Sequence, residues 1–299
     1  MSTDVALNET VVAAPAPARE ATAPSVSSLP ETVIRPRRGW LAIDLKELWA
    51  YRELLYFLTW RDIKVRYKQT ALGALWAIIQ PTLNMVVFTL FFGRLAKMPS
   101  DGVPYPIFVY AGLLPWTYFS HAVTQAGDSL IGSQNLITKV YFPRLLIPMG
   151  AATAGLVDFV IALTVLGGLM AYYGFVPSIG LMLFPVLALL TYILAIGVGL
   201  WLSASNVKYR DIRYAIPFLI QLWMFCTPVI YPTTLLKKYA WIMALNPMGG
   251  LIEAFRACTL GHRPIPWSSL SISCIIVFAV FMGGLIYFRR TERYFADVI

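Results

Sequence analysis

Six nearly unbroken apolar blocks divide the chain, over residues 71–92, 105–125, 145–173, 179–204, 215–231 and 269–288. Each approaches or exceeds the roughly 20 residues that an α-helix needs to cross a hydrocarbon core. Lipid offers the backbone no hydrogen-bond partners, so blocks of this kind predict transmembrane helices; the alternating pattern of a β-barrel strand is absent. The pattern changes over residues 40–67. There Leu41, Leu45, Leu48, Leu55 and Leu58 recur at helical intervals, while Asp44, Glu47, Arg52 and Glu53 interrupt any span. Trp40, Trp49, Tyr56 and Trp60 add rings that favour headgroup level, and the stretch predicts an amphipathic helix lying along the cytoplasmic membrane surface. Residues 235–260 hold short apolar pieces broken at Lys237-Lys238, Asn246-Pro247 and Gly249-Gly250. Neither half reaches spanning length, which fits two short helices dipping back into the outer face or an amphipathic external loop. The expected fold class is therefore all-α integral membrane, with six transmembrane helices. Residues 1–36 form an Ala/Pro-rich tail expected to be disordered. Residues 37–68 form the interface helix and its basic end, 69–289 the transmembrane domain, and 290–299 a cytoplasmic tail.

Composition agrees with the pattern. The chain is 58% hydrophobic and 13% charged, whereas soluble domains are about a quarter charged. Orientation follows from Lys and Arg. With an inside N-terminus, seventeen of the 24 basic residues lie on cytoplasmic segments beside the spans and six lie outside. Basic residues stay cytoplasmic during insertion, so both termini are expected inside. A net charge of +9 then points to anionic lipid headgroups rather than nucleic acid. No sustained apolar core follows a basic start, so no signal peptide is expected. Cys226, Cys258 and Cys274 have neither CxxC nor metal-ligand spacing and read as inert.

Catalytic motifs are missing: there is no phosphate loop, no HExxH, no GxSxG, and only His121 and His262. Gly197-Val198-Gly199 lies inside a span and reads as close helix packing. Energy must come from an ion gradient or from another chain. Asp158 is the one clear acid within a span, and it reads as either a structural pair or a coupling site. Phe88, Phe91 and Phe92 end the first block, and Tyr110, Trp116, Tyr118 and Phe119 lie along the second beside Pro115. Such rings suit the apolar faces of sugars, as they suit other amphipathic ligands. Trp116 and Phe119 share a helix face at i, i+3, while Tyr118 points to a neighbouring helix. Arg61, Lys64 and Arg66 belong to a cationic collar before the first span, which either anchors the helix or meets phosphate. Between the second and third blocks, Asp128 or Ser129 is expected to cap a short helix running to about Val140, where Pro143 stops it.

Several of these segments resemble the permease subunits of type-2 ABC exporters for polysaccharides, including O-antigen, capsule and teichoic acid. The resemblance starts at Arg61-Asp62-Ile63-Lys64-Val65-Arg66-Tyr67-Lys68-Gln69-Thr70-Ala71-Leu72-Gly73-Ala74-Leu75-Trp76. It continues through Gln80-Pro81 and Gly112-Leu113-Leu114-Pro115-Trp116. Further on it includes Asn135-Leu136-Ile137-Thr138-Lys139-Val140-Tyr141-Phe142-Pro143-Arg144 and Tyr209-Arg210-Asp211-Ile212-Arg213. It closes with Thr227-Pro228-Val229-Ile230-Tyr231 and Leu245-Asn246-Pro247. It covers roughly residues 40–290, and the N-terminal tail stands outside it.

The resemblance implies a homodimer around a central channel, with two copies of a separate cytosolic ABC ATPase below. That partner would hold ATP and Mg, so no cofactor or metal is expected in this chain, and no enzymatic activity. The exported substrate would be a lipid-linked polysaccharide, in a bacterial inner membrane. Tyr110, Trp116, Tyr118, Phe119, Phe88 and Phe92 would line its path, and Arg61, Lys64 and Arg66 would meet the carrier phosphate. Ser129, Ser133, Asn135, Lys139, Tyr141, Arg144 and Arg210 would face the ATPase. Residues 235–260 would be two re-entrant helices. The competing expectations are an exporter of a drug or small lipid, or a membrane glycosyl- or acyltransferase, for which Glu253 with His262 is the nearest acid–histidine pair.

Overall fold

The computed structural model describes residues 45–68, 72–176, 179–209, 211–235, 240–293 and 295, all of whose regular elements are helical. The N-terminal tail, Arg210, Lys237 and Lys238 lie outside the described residues.

Helix α1 (Leu45–Ala50) passes almost directly into α2 (Arg52–Lys68). The amide of Tyr51 donates to the Glu47 carbonyl at 3.1 Å, and that of Leu55 to the Tyr51 carbonyl at 3.1 Å. The cationic collar is the second half of α2 rather than a separate segment. Further along the chain, α6 (Leu146–Tyr173) runs beside it. A Cβ at Gly150 would lie 3.2 Å from the Leu58 Cβ, and two turns later Arg66 and Tyr67 both reach Asp158. Eight residues separate the paired positions on each helix, so α2 follows α6 in the same direction for about 12 Å. This differs from a helix lying wholly on the membrane surface. Gly150 supplies the notch and Asp158 the polar anchor, while Trp49, Tyr56, Phe57 and Trp60 remain exposed.

Helix α3 (Trp76–Phe88) is preceded by a 3₁₀ turn at Gly73–Leu75 and followed by a π-helical turn at Thr89–Leu95. Helix α4 (Tyr105–Gly132) has 28 residues, of which 18 are buried. It stands in the middle, packed against α3, α6, α7 (Phe184–Lys208), α8 (Ile212–Cys226) and α10 (Pro247–Leu260). Helix α11 (Trp267–Glu292) closes the bundle against α7 and α10. The glycines at 197 and 199 serve close packing, as their sequence suggests. A Cβ at Gly197 would come within 2.8 Å of the Phe281 Cα on α11, and one at Gly199 within 2.6 Å of the Ala126 Cβ on α4.

Among the described residues, four helical stretches are long and apolar enough to cross a membrane: Gly73–Leu95, Leu146–Tyr173, Gly180–Lys208 and Trp267–Glu292. The fifth expected span, α8, has only 15 residues, about 22 Å. Its end comes at Thr227-Pro228, where Thr227 donates to the Trp223 carbonyl at 2.7 Å. The second, α4, is long enough but interrupted by polar residues such as Ser120, His121, Thr124, Gln125 and Asp128.

The short helix expected from Asp128 or Ser129 to Val140 is divided in two. Residues up to Gly132 continue α4, the chain breaks at Ser133 (φ −113°, ψ 21°), and α5 spans Gln134–Lys139. Asp128 is no cap. Its carboxylate accepts from Asn206 Nδ2 at 3.1 Å and lies 3.8 Å from Arg213, tying α4 to α7 and the start of α8.

Between α8 and α11 the described residues form two α-helices, α9 (Ala240–Ala244) and α10. Asn246 caps α10 by accepting from the Met248 amide at 3.2 Å, and it also accepts from the Trp223 indole at 3.0 Å. Thirteen of the fourteen α10 residues are buried.

Candidate functional site

The aromatic grouping on α4 is a core. Tyr110 and Phe119 have no exposed surface, and Trp116 and Tyr118 retain 4% each. The phenols of Tyr110 and Tyr118 donate across to α6, to the carbonyls of Ala162 at 3.0 Å and Ala152 at 3.4 Å. Trp116 and Phe119 pack their rings together at 5.7 Å and against Trp223 of α8 at 6.5 and 5.0 Å. In this conformation α4, packed among five other helices, turns these rings toward its protein neighbours. Phe88 and Phe92 pair edge to face at 5.9 Å and are half-buried near the far end of α3.

The basic residues of α2 divide between two faces. Arg61 pairs with its neighbour Asp62 at 2.9 Å, and Lys64 and Lys68 are exposed. Successive helical residues turn by about 100°, so Arg61, Lys64 and Lys68 share one side and Arg66 lies some 140° away. Arg66 is directed inward, where it forms an ion pair with Asp158. Tyr67 donates its phenol to the same carboxylate. Burial first, and then that carboxylate, push the Tyr67 phenol above its usual range, so it stays a donor. Asp158 is thus doubly held, which is the structural pairing that an acid within a span requires.

Beside this clasp lies a cavity of about 260 Å³ between α2, α3, α4 and α6. Trp76, Gln80, Thr117, His121 and Gln125 line it together with Arg66 and Asp158, and Tyr118 borders it. The collar and Asp158 were each visible in the sequence, but their meeting was not, because 91 positions separate Tyr67 from Asp158. One signal could have pointed to the cavity: Trp76 and Gln80, and again Thr117, His121 and Gln125, recur every fourth residue.

The residues expected to face a partner at the α5 end are not equivalent. Asn135, Lys139 and Tyr141 are exposed, Tyr141 at 67%. Ser129 is partly buried and donates to the Ala126 carbonyl at 2.7 Å, and Ser133 is buried at the break between α4 and α5. Arg144 turns inward, donating to the Glu292 carbonyl at 2.8 Å and covering the Phe295 ring at 5.9 Å. It fastens the end of α11 to this segment. Arg210 is outside the described residues. A groove of about 420 Å³ runs between residues 137–144, Glu47, Arg289 and Glu292.

At the other end, Arg256 is a buried strut that sequence reasoning counted only as an external charge. Its guanidinium donates to the carbonyls of Phe108, Pro228 and Val229 at 3.1, 2.7 and 2.5 Å and sits 3.8 Å from the Phe108 ring centre. It joins α10 to α4 and to the turn after α8. Glu253 and His262 border one small cavity of about 60 Å³ beside it, with Asp101 and Arg263 paired at 2.9 Å. Glu253 accepts from Thr233 at 2.7 Å.

Comparison with known proteins places this arrangement. The chain is 32% identical over 255 residues to the O-antigen export system permease protein RfbA of Myxococcus xanthus, covering 84% of this chain and 97% of the relative. It is 28% identical over 249 residues to the protein of the same name from Klebsiella pneumoniae, covering 83% and 95%. To the polysialic acid transport protein KpsM of Escherichia coli it is 24% identical over 238 residues, covering 78% and 91%. The model of the ABC-2 type transporter family matches residues 53–260, the stretch that holds α2 through α10, the Arg66–Asp158 clasp and the Arg256 strut. The chain belongs to the ABC-2 type transporter family.

Proposed function

We propose that this chain is the membrane-spanning half of an exporter that carries lipid-linked polysaccharide across a bacterial inner membrane. The observation that carries this reading is the end-to-end similarity to permeases named for O-antigen export and polysialic acid transport, over 91–97% of their lengths. In this reading the chain is not itself an enzyme. It contains no phosphate-binding loop, and ATP is bound with Mg and hydrolysed by a separate cytosolic ABC ATPase, two copies of which meet two copies of the permease.

The topology proposed has six crossings and both termini inside. Helix α4 crosses at the centre, where neighbouring helices rather than lipid meet its polar residues. Helix α8 crosses with the turn that follows it, and α9 and α10 dip back into the outer face without traversing it. The excess of Lys and Arg on the cytoplasmic segments supports this orientation. Asn135, Lys139 and Tyr141 meet the ATPase, Ser129, Ser133 and Arg144 position that surface, and Arg61 and Lys64 attract anionic headgroups, including the phosphate of the carrier.

The test is deletion of the gene, followed by separate measurement of surface polysaccharide and of carrier-linked polymer inside the cell. Loss of the first with accumulation of the second, both reversed by the wild-type gene, is the expected outcome. Surface polysaccharide unchanged in amount and length would overturn the proposal and favour a drug or small-lipid substrate.

A further inference from the structure

The cavity beside the Arg66–Asp158 clasp presents polar groups at a depth where polar groups need partners. His121 lies eleven residues from the α5 end of α4, about 16 Å along the helix, and sixteen residues or about 24 Å from the other end. Among the described residues, the side-chain amides of Gln80 and Gln125 make no hydrogen bond to protein, yet both residues are exposed. Asn84, one turn beyond Gln80, is exposed and likewise without a hydrogen bond to a described residue. Amides facing hydrocarbon are costly, so this face opens on water or on a polar ligand, not on acyl chains.

The chemistry of the lining selects the ligand. Arg66 is neutralised by Asp158, so among the described residues the site offers no uncompensated cation to hold a phosphate. A single carboxylate with a single histidine is too few donors for a metal site, and among the described residues no group of three such side chains occurs anywhere. What remains is a half-exposed indole, Trp76, beside two amides, a threonine, an imidazole and a neutral ion pair. An aromatic platform edged by such groups matches a ring with apolar faces and a rim of hydroxyls. At about 260 Å³, slightly under the roughly 300 Å³ at which drug-sized sites begin, the cavity has room for one such ring.

We infer that this cavity is a subsite for a single sugar ring borne by a membrane lipid. The ring stacks on Trp76 and exchanges hydrogen bonds with Gln80 and Gln125. The inference rests on the exporter reading for its ligand, and it deepens that reading by naming where one protomer alone holds sugar. Two lipids carry such rings in a bilayer: a polyprenyl pyrophosphate bearing the first sugar of a glycan, and a glycosyl diacylglycerol.

The test uses the full-length permease in phospholipid nanodiscs, with affinities measured for four short-chain probes. These are a polyprenyl pyrophosphate with one hexose, the same lipid without sugar, a hexosyl diacylglycerol, and diacylglycerol alone. The hexose should tighten binding by about tenfold for at least one carrier, since one ring stack and one or two hydrogen bonds are gained. The carrier that shows the larger gain identifies the source. Gln80→Leu with Gln125→Leu should abolish the gain, as should Trp76→Leu, while Trp76→Phe should keep part of it. Leucine is a good helix former and all three positions are exposed, so these variants are expected to insert and fold, which size-exclusion profiles would verify. A gain absent in the wild type, or unchanged in the folded Leu variants, overturns the subsite. Failure of the exporter reading is separately visible: the wild-type gene would then leave surface polysaccharide unrestored in the deletion strain.

Discussion

Helices α3 and α4 lie side by side and reverse the usual relation between hydropathy and burial. The stretch 73–95 around α3 is apolar enough to count as a span, yet only 11% of its most apolar window is buried within the chain. Helix α4 carries a histidine, a glutamine and an aspartate along its length and has 18 of its 28 residues buried. In water the apolar helix would be the inner one. In a bilayer, lipid covers apolar faces without help, and the helix with polar groups needs protein around it. The long helix with polar groups through its second half thus marks the centre of the bundle, and the exposed apolar faces of α3 and α8 are left for lipid or for a second copy.

Paired substitutions would break this contrast if it is wrong. Phe119→Ala on α4 removes a ring with no exposed surface and should cost about 3–5 kcal/mol, read as a large fall in the melting midpoint of detergent-solubilised protein. Phe91→Ala on the π-helical turn, 59% exposed, should change stability by about 0.5 kcal/mol or less. Equal losses would mean that α3 is covered in the isolated chain. Next in size, Asp158→Ala leaves Arg66 without its carboxylate. Breaking a buried pair costs about 3–5 kcal/mol, and with both side chains roughly a quarter exposed the loss should fall at or below the lower end. Replacing both Arg66 and Asp158 by Leu should recover most of it. A double variant no better than the single one would show that the clasp acts through something besides charge pairing.

A smaller effect is expected at the α7–α11 crossing. Gly284→Ala pushes a methyl group against the Gly197 carbonyl, and such overpacking costs about 1–3 kcal/mol. Least of all should be felt at the α5 end. Asn135→Ala with Tyr141→Ala removes exposed side chains and should leave stability within about 0.5 kcal/mol, while reducing polymer export and the ATPase rate of the assembled complex. Unchanged export would place the ATPase contact elsewhere.

The spans were largely legible because lipid imposes a length and a composition that any sequence must show. Helices α6, α7 and α11 lie within a few residues of their apolar blocks. The break at Ser133 was only partly legible: Gly132 before it weakens a helix, but a lone glycine is tolerated inside one and does not fix where the backbone departs. The role of α4's aromatics was not legible. Trp116 and Tyr118 have the same composition whether they face a channel or a neighbour, and only the position of α4 among five other helices decides. Arg144 shows the same limit: its charge suggests a partner surface, while its guanidinium is bound to the last carbonyl of α11. The clasp and the cavity depend on α2 turning along α6, a tertiary contact that no local pattern encodes. What the sequence did hold was the four-residue spacing of Trp76, Gln80 and Asn84, a polar stripe on a helix otherwise made for lipid.

The central claim is that this chain supplies a path and a partner supplies the energy. Reconstitution tests it most directly: the permease is placed in liposomes whose outer leaflet carries the carrier-linked glycan and whose lumen holds a sugar-labelling enzyme, with and without a cognate ABC ATPase added outside together with ATP and Mg. The number of glycans moved across is then counted by enzymatic labelling of newly accessible sugars. The account predicts no ATP hydrolysis and no movement with the permease alone, and ATP-dependent movement once the ATPase is present. Hydrolysis by the permease alone, or movement that does not depend on ATP, would contradict it.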